Sequence, residues 1–164
     1  IFQLKFTTQE FNRVMAWTSG SIWGTNWKYV IAVAPFILVF SALVIYKSRY
    51  LDVLNLGDEI STGLGIAVEK ERRRLLIYAV ILAGVATSVA GSISFLGLVA
   101  PHIARKLVGP KHKNLIPISA LMGTLIILIA DTISRNLLAP IEIPVGIVIS
   151  IIGVPYFIYL MLND

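Results

Sequence analysis

Residues 75–104 read LLIYAVILAGVATSVAGSISFLGLVAPHIA, thirty residues without one charged side chain. As a single helix this block would extend about 45 Å, well beyond a hydrocarbon core of roughly 30 Å. Cations bracket it on both sides: Arg72, Arg73 and Arg74 before it, Arg105, Lys106, Lys111 and Lys113 after it. Positive charge accumulates on the cytoplasmic side of a membrane, so both ends belong on that side. One pass cannot return to its starting side. The block must turn, and the small residues Gly91 and Ser92 mark the place. We expect residues 75–90 to run outward and residues 93–104 to return as a short, partly re-entrant leg.

Composition agrees with this reading. The chain has 164 residues, 57% hydrophobic and only 14% charged, against about 25% charged in soluble domains. Its net charge of +5 would raise nucleic acid as a partner for a soluble chain. Here ten of the fourteen Lys and Arg residues sit in two loops between apolar blocks, or at their edges, where they set topology. We expect no nucleic-acid partner. The absence of cysteine excludes disulfides and thiolate metal sites. No initiator Met and no signal-peptide pattern stand at Ile1, which reads as part of a longer polypeptide.

Three further apolar runs complete the pattern: residues 29–46, interrupted by Pro35, residues 115–133, and residues 143–162. The expectation is an all-α, polytopic transmembrane bundle of about five spans, with the C-terminus inside. Residues 7–27 carry Trp17, Trp23 and Trp27, and tryptophan favours the membrane–water boundary. That segment reads as an interfacial element at the outer face, with a helix starting near Thr8, Gln9 and Glu10 and ending at Gly20. Residues 50–74 are too polar to cross. Gly57 divides them into two short helical pieces; Asp58 and Glu59 suit the positive end of the second, and Gly65 its cap. With Leu51, Leu54, Leu56, Ile60 and Leu64 recurring at roughly helical spacing, the loop has the form of a docking element or, more plainly, of a solvated connector.

Catalytic and metal readings find little support. Ser92, Ser94, His102 and Asp131 assemble a hydrolase triad only on paper, since no G-x-S-x-G elbow is present. His102 and His112 have no third ligand at helical spacing, so both read as hydrogen-bonding residues at the inner interface. The phosphate-binding G-x-x-x-x-G-K-[ST] loop is missing. Asp131 and Arg135 stand four apart on one helix, in the favourable acid-before-base order. They read as an intrahelical pair, as an arginine offered to an external carboxylate, or as both. An ATP-independent carrier or channel would need a polar relay inside the spans, and only Asp131 approaches one.

Four strings then occur in one order: WTSGSIWGTNW, LNLGDEISTGLG, GSISFLGLVAPHIARKLVGPKHKNLIP and ADTISRNLLAPIEIPVGIVISIIGVPYFIYLM. Together they resemble the FecCD-type permease subunits of ABC importers for iron-siderophores, haem and vitamin B12, over nearly the whole chain. A full-length member has ten spans, and this chain resembles the C-terminal half as one transmembrane permease domain. The resemblance implies a multi-pass protein of the bacterial plasma membrane and a second permease subunit, identical or not. It also implies two cytoplasmic ATPases that bind ATP and Mg, and an external substrate-binding protein. The chain itself would be neither an enzyme nor a cofactor carrier. By the same likeness LNLGDEISTGLG, with Leu56, Gly57, Asp58, Glu59 and Gly65, is the ATPase-coupling loop. Arg135 is then a docking residue for the binding protein, and Trp17, Trp23 and Trp27 flank the outer mouth. Iron-siderophore uptake by alternating access is the expected activity, with haem or vitamin B12 as the alternative cargo.

Overall fold

The computed structural model describes residues 14–15, 17–22, 25–137 and 143–163. Seven helices are assigned there: α1 (Trp27–Tyr46), α2 (Ser48–Leu54), α3 (Asp58–Gly63), α4 (Val68–Ala90), α5 (Leu96–Val108), α6 (His112–Leu137) and α7 (Val145–Asn163). Four of them, α1, α4, α6 and α7, are long and apolar enough to cross a membrane. The helix start expected near Thr8, Gln9 and Glu10 lies outside the described residues.

The block at 75–104 does break at Gly91. Helix α4 ends at Ala90 and α5 starts at Leu96, with Gly91 at φ +70° and Phe95 at φ +63° between them. Helix α5 has 13 residues, about 20 Å at 1.5 Å each. It is a half-length leg, so the expectation of five passes becomes four full spans and one short helix. The start of α4 also departs from expectation. Residues 68–74 are helix rather than loop, because Glu69 and Glu71 in the first turn complement the helix dipole. Their polarity reflected contact with water and not irregular backbone. They carry α4 about 10 Å past the apolar block.

Helix α1 packs along α4, where Phe40 and Tyr78 meet with ring centroids 5.8 Å apart. Helices α5 and α6 form a close hairpin, and α7 lies on both. Small residues allow that approach: a Cβ placed at Gly123 of α6 would sit 3.7 Å from that of Ala100. The core is Ala130, Val145, Val148 and Ile149, with Ile22, Ile93 and Ile126 against it. Elsewhere the helices turn apolar side chains outward; α1 has no buried residue, as expected of a surface facing lipid.

From Leu75 to Ala90 the apolar part of α4 reaches only about 24 Å, so the turn at 91–95 falls within membrane depth. Irregular backbone is tolerated there only when protein covers it or it lines a cavity. The cover is residues 17–20. Ser92 Oγ donates to the Thr18 carbonyl at 2.6 Å, and Gly146 N–H donates to the Gly20 carbonyl at 2.9 Å. Three glycines make this meeting of backbones possible. A Cβ on Gly20 would lie 2.6 Å from the Ser92 oxygen; Cβ atoms on Gly91 and Gly146 would strike the carbonyls of Trp17 and Ser19.

Gly91→Ala is therefore expected to destabilise the fold by on the order of 1–3 kcal/mol. Gly84→Ala, on the same helix with open space around it, should be neutral or stabilising by up to about 1 kcal/mol. Thermal unfolding of the two variants in detergent, side by side, checks the contrast.

Candidate functional site

Two places bring together residues singled out from sequence, one at each end of the bundle; the end that carries most of the cations is called inner and the opposite end outer. At the inner end, Lys47 alone separates α1 from α2, and the chain bends again at Gly57 before α3. Gly57 has φ +100° and ψ 160°, a region essentially restricted to glycine. Gly65, at φ +80°, closes α3: its N–H reaches the Thr62 carbonyl at 2.9 Å, and that of Ile66 reaches Ser61 at 3.1 Å. This is the reciprocal pairing of a Schellman cap. The fully buried Ser61 holds the elbow shut, its hydroxyl within 2.9 Å of the Val53 carbonyl and 2.7 Å of Gly57's.

The root of this elbow is clamped to two spanning helices. Lys47 Nζ donates to Glu71 Oε2 at 2.7 Å, and Arg74 donates to the other carboxylate oxygen at 2.7 Å. Arg72 donates to Asp58 at 2.6 Å. On the α6 side, Asp52 Oδ1 accepts from the His112 backbone N–H at 2.9 Å and lies 2.7 Å from His112 Nδ1. A carboxylate thereby caps the first residue of α6 from another helix. Burial acts to raise the Asp52 pKa, but the His112 hydrogen bonds and the charges of His112 and Lys111 outweigh it and hold the carboxyl below its usual range. A pKa lowered by folding makes this tie complete above the ordinary carboxylate value; it is lost only as pH falls through the lowered one.

The tip is different. Leu56, Ile60 and Leu64 stay 54–63% exposed, and Gly57, Asp58 and Glu59 beside them are exposed too. The inner end thus combines a fixed root with an apolar, acid-flanked tip that none of the described residues covers.

At the outer end, the 17–20 segment, the 91–95 turn and α7 line an open-sided cavity of about 580 Å³. Phe95 packs into α7 at Gly153, where an added Cβ would lie 2.6 Å from the Phe95 Cβ. Nearby on α6, Ser134 Oγ donates to the Ile143 carbonyl. Arg135 Nε donates to Asp131 Oδ2 at 2.8 Å while its side chain stays 51% exposed. Trp17 contributes its backbone carbonyl to the glycine joint and is partly exposed; Trp27 opens α1 with its ring exposed. Trp23 lies outside the described residues, as does much of the 7–27 segment.

Of the residues singled out from sequence, the structure brings Leu56, Gly57, Asp58, Glu59 and Gly65 together on one elbow, with Arg135 on α6, away from them in the chain. His112 makes the inner hydrogen bond expected of it. His102 does not: its ring stands edge-on to Tyr156 at 6.0 Å, and its Nε2 is buried without a partner among the described residues. Sequence reasoning missed Asp52, Glu71 and Gly146, each defined by a contact across the fold, and Ser61, whose hydroxyl closes the elbow locally.

Residues 1–163 match the FecCD transport family. The chain is 55% identical over 163 residues to the iron(3+)-hydroxamate import system permease protein FhuG of Bacillus subtilis, covering 99% of this chain and 48% of that protein. It is 39% identical to the Fe(3+) dicitrate transport system permease protein FecD of Escherichia coli, over 94% of this chain and 49% of that one. With the hemin transport system permease protein HmuU of Yersinia pestis it shares 40% identity, over 95% and 47% respectively. Among solved structures, an inward-facing metal-chelate type ABC transporter superposes with a TM-score of 0.89 at 28% identity, covering 98% of this chain and 53% of that one. The chain spans about half the length of the curated relatives it matches.

The clamp predicts unequal mutations. The Lys47 and Glu71 side chains are only 18% and 10% exposed, so Glu71→Gln leaves a nearly buried cation short of its counter-charge, a loss of about 3 kcal/mol. Arg72 and Asp58 are 46% and 59% exposed, and Asp58→Asn should cost less than about 1 kcal/mol. Hydrogen exchange across residues 47–75 measures both.

Proposed function

The chain belongs to the FecCD transport family, and on that premise we propose that it is the C-terminal half of the permease subunit of an ABC importer for iron-siderophore complexes. In this reading it sits in the bacterial plasma membrane beside a second permease subunit. Two ATPases that bind ATP and Mg dock on its inner face, and a binding protein delivers the chelate outside. The permease itself catalyses nothing and carries no cofactor. The 55% identity to a hydroxamate permease favours an iron chelate over haem, and the hemin permease at 40% supports haem as the second reading.

The observation that carries the proposal is the contrast within the elbow. An exposed apolar tip at Leu56, Ile60 and Leu64 joins a root tied to α4 by ion pairs and to α6 by the Asp52–His112 contact, all at 2.6–2.7 Å. Such a tip supports docking on another subunit, and such a root supports passing that subunit's movement into the spans. ATP-driven closure of the ATPases then reorients the helices between outward- and inward-facing states. At the other face, the half-exposed Arg135 side chain puts positive charge within reach of a carboxylate of the binding protein, beside its pair with Asp131.

Gly57→Val should lose coupling: the backbone at Gly57 excludes a β-branched residue by about 1–3 kcal/mol, so ATP is hydrolysed while chelate uptake falls at least several-fold. Uptake and ATPase rates in proteoliposomes decide it, and normal coupling would refute the elbow's role. Arg135→Glu should weaken binding-protein docking tenfold or more at low salt, by loss of attraction and gain of repulsion; unchanged docking and uptake would remove that role.

A further inference from the structure

The outer cavity has a chemical character that the importer reading leaves unspecified. Its volume of about 580 Å³ is that of a small-molecule site. Five hydroxyls line it, from Thr18, Ser19, Ser92, Ser94 and Ser150, facing aliphatic groups of α7 such as Ile147 and Ile151. No charged residue is among the described residues of its wall.

The hydroxyl protons are mostly committed. Thr18 Oγ1 lies 3.0 Å from the Val14 and Met15 carbonyls, and Ser19 Oγ donates to Met15 at 2.8 Å. Ser92 donates to Thr18 at 2.6 Å and Ser150 to Gly146 at 2.8 Å. A hydroxyl has one proton and two acceptor lone pairs. Four of the five therefore turn only lone pairs toward the cavity, and Ser94 alone makes no side-chain hydrogen bond among the described residues. Two amides at the α7 start, which could cradle an anion, are also taken: Gly146 donates to Gly20 at 2.9 Å and Ile147 to Pro144 at 3.0 Å.

We infer that this cavity is a contact site for the cargo in transit, and that it admits chelates of zero net charge bearing peripheral N–H or O–H donors. Iron(III) held by three monoanionic bidentate groups, as in a tris-hydroxamate, has no net charge. Its donors meet the serine and threonine lone pairs, and its hydrocarbon linkers lie on α7. A tris-catecholate complex carries three negative charges, and at this wall it would lose water against oxygen lone pairs with no cation among the described lining residues in return. The inference rests on the importer reading and narrows its substrate class.

The test uses the complete permease assembled with its partner subunits in proteoliposomes. The chain has no cysteine, so Ser94→Cys and Ser150→Cys each place one thiol in this wall, and Lys28→Cys places a control at the exposed first turn of α1, outside the wall. Variants that retain ATP-driven uptake are labelled with a hydrophilic maleimide. Chelates are supplied free at millimolar concentration, so that the binding protein's own selectivity does not enter. A ferric tris-hydroxamate should slow labelling at both cavity positions at least fivefold and leave the control unchanged; a ferric tris-catecholate should protect neither. No protection by either chelate, while hydroxamate uptake proceeds, would take the cavity off the path. Equal protection by both would overturn the charge selection. Failure of the wild-type assembly to import any ferric chelate with ATP would instead overturn the importer reading.

Discussion

Backbone amides and carbonyls inside a membrane must find partners within the protein, and in this chain that demand falls hardest on residues 91–95. An uninterrupted helix would satisfy every group, but residues 75–104 are too long for one pass and carry cations at both ends. The turn that resolves this exposes peptide groups at membrane depth. The 17–20 segment covers them, docking by backbone contacts at Gly20, Gly91 and Gly146. Much of the outer half follows from that arrangement: the short α5, the seating of Phe95 on Gly153, and the cavity whose wall is made where the three segments meet.

The inner end obeys the opposite logic. There the contacts that tie the helices together run through polar side chains rather than from backbone to backbone. Glu71 joins Lys47 to Arg74, Asp58 joins α3 to α4, and Asp52 ties α2 to the start of α6. With the root so constrained, the exposed Leu56, Ile60 and Leu64 are carried as one surface and do not collapse onto the spans.

The fold was legible where a single local signal decided it. An uncharged block between cations forces a break, and glycine at 57 and 65 announces positive φ, so the turn and the elbow could be read directly. The start of α4 was not legible, because polar residues in water and polar residues in a loop look alike until Glu69 and Glu71 are seen against the helix dipole. The elbow's protruding residues belonged to one short string and were readable; its clamp was not. Asp52 and His112 stand sixty positions apart, and no periodicity links them. The cavity was least visible of all, since Thr18, Ser92 and Ser150 converge only after three segments have folded. Its serines first drew notice as a paper triad with His102, which in the fold faces Tyr156 instead.

Helix α4 has a mechanical meaning once both ends are considered together. Its first turns, beyond the apolar block, hold the elbow through Glu71 and Arg72, and its last residue leads directly into Gly91 at the glycine joint. One unbroken rod of 23 residues therefore has the elbow at its base and the cavity wall at its head. An axial shift or a rotation imposed at the base arrives at the head at nearly full amplitude, because a continuous hydrogen-bonded helix is far stiffer than a relay of packed side chains. The two ends of the chain are in this sense joined by a single stiff part.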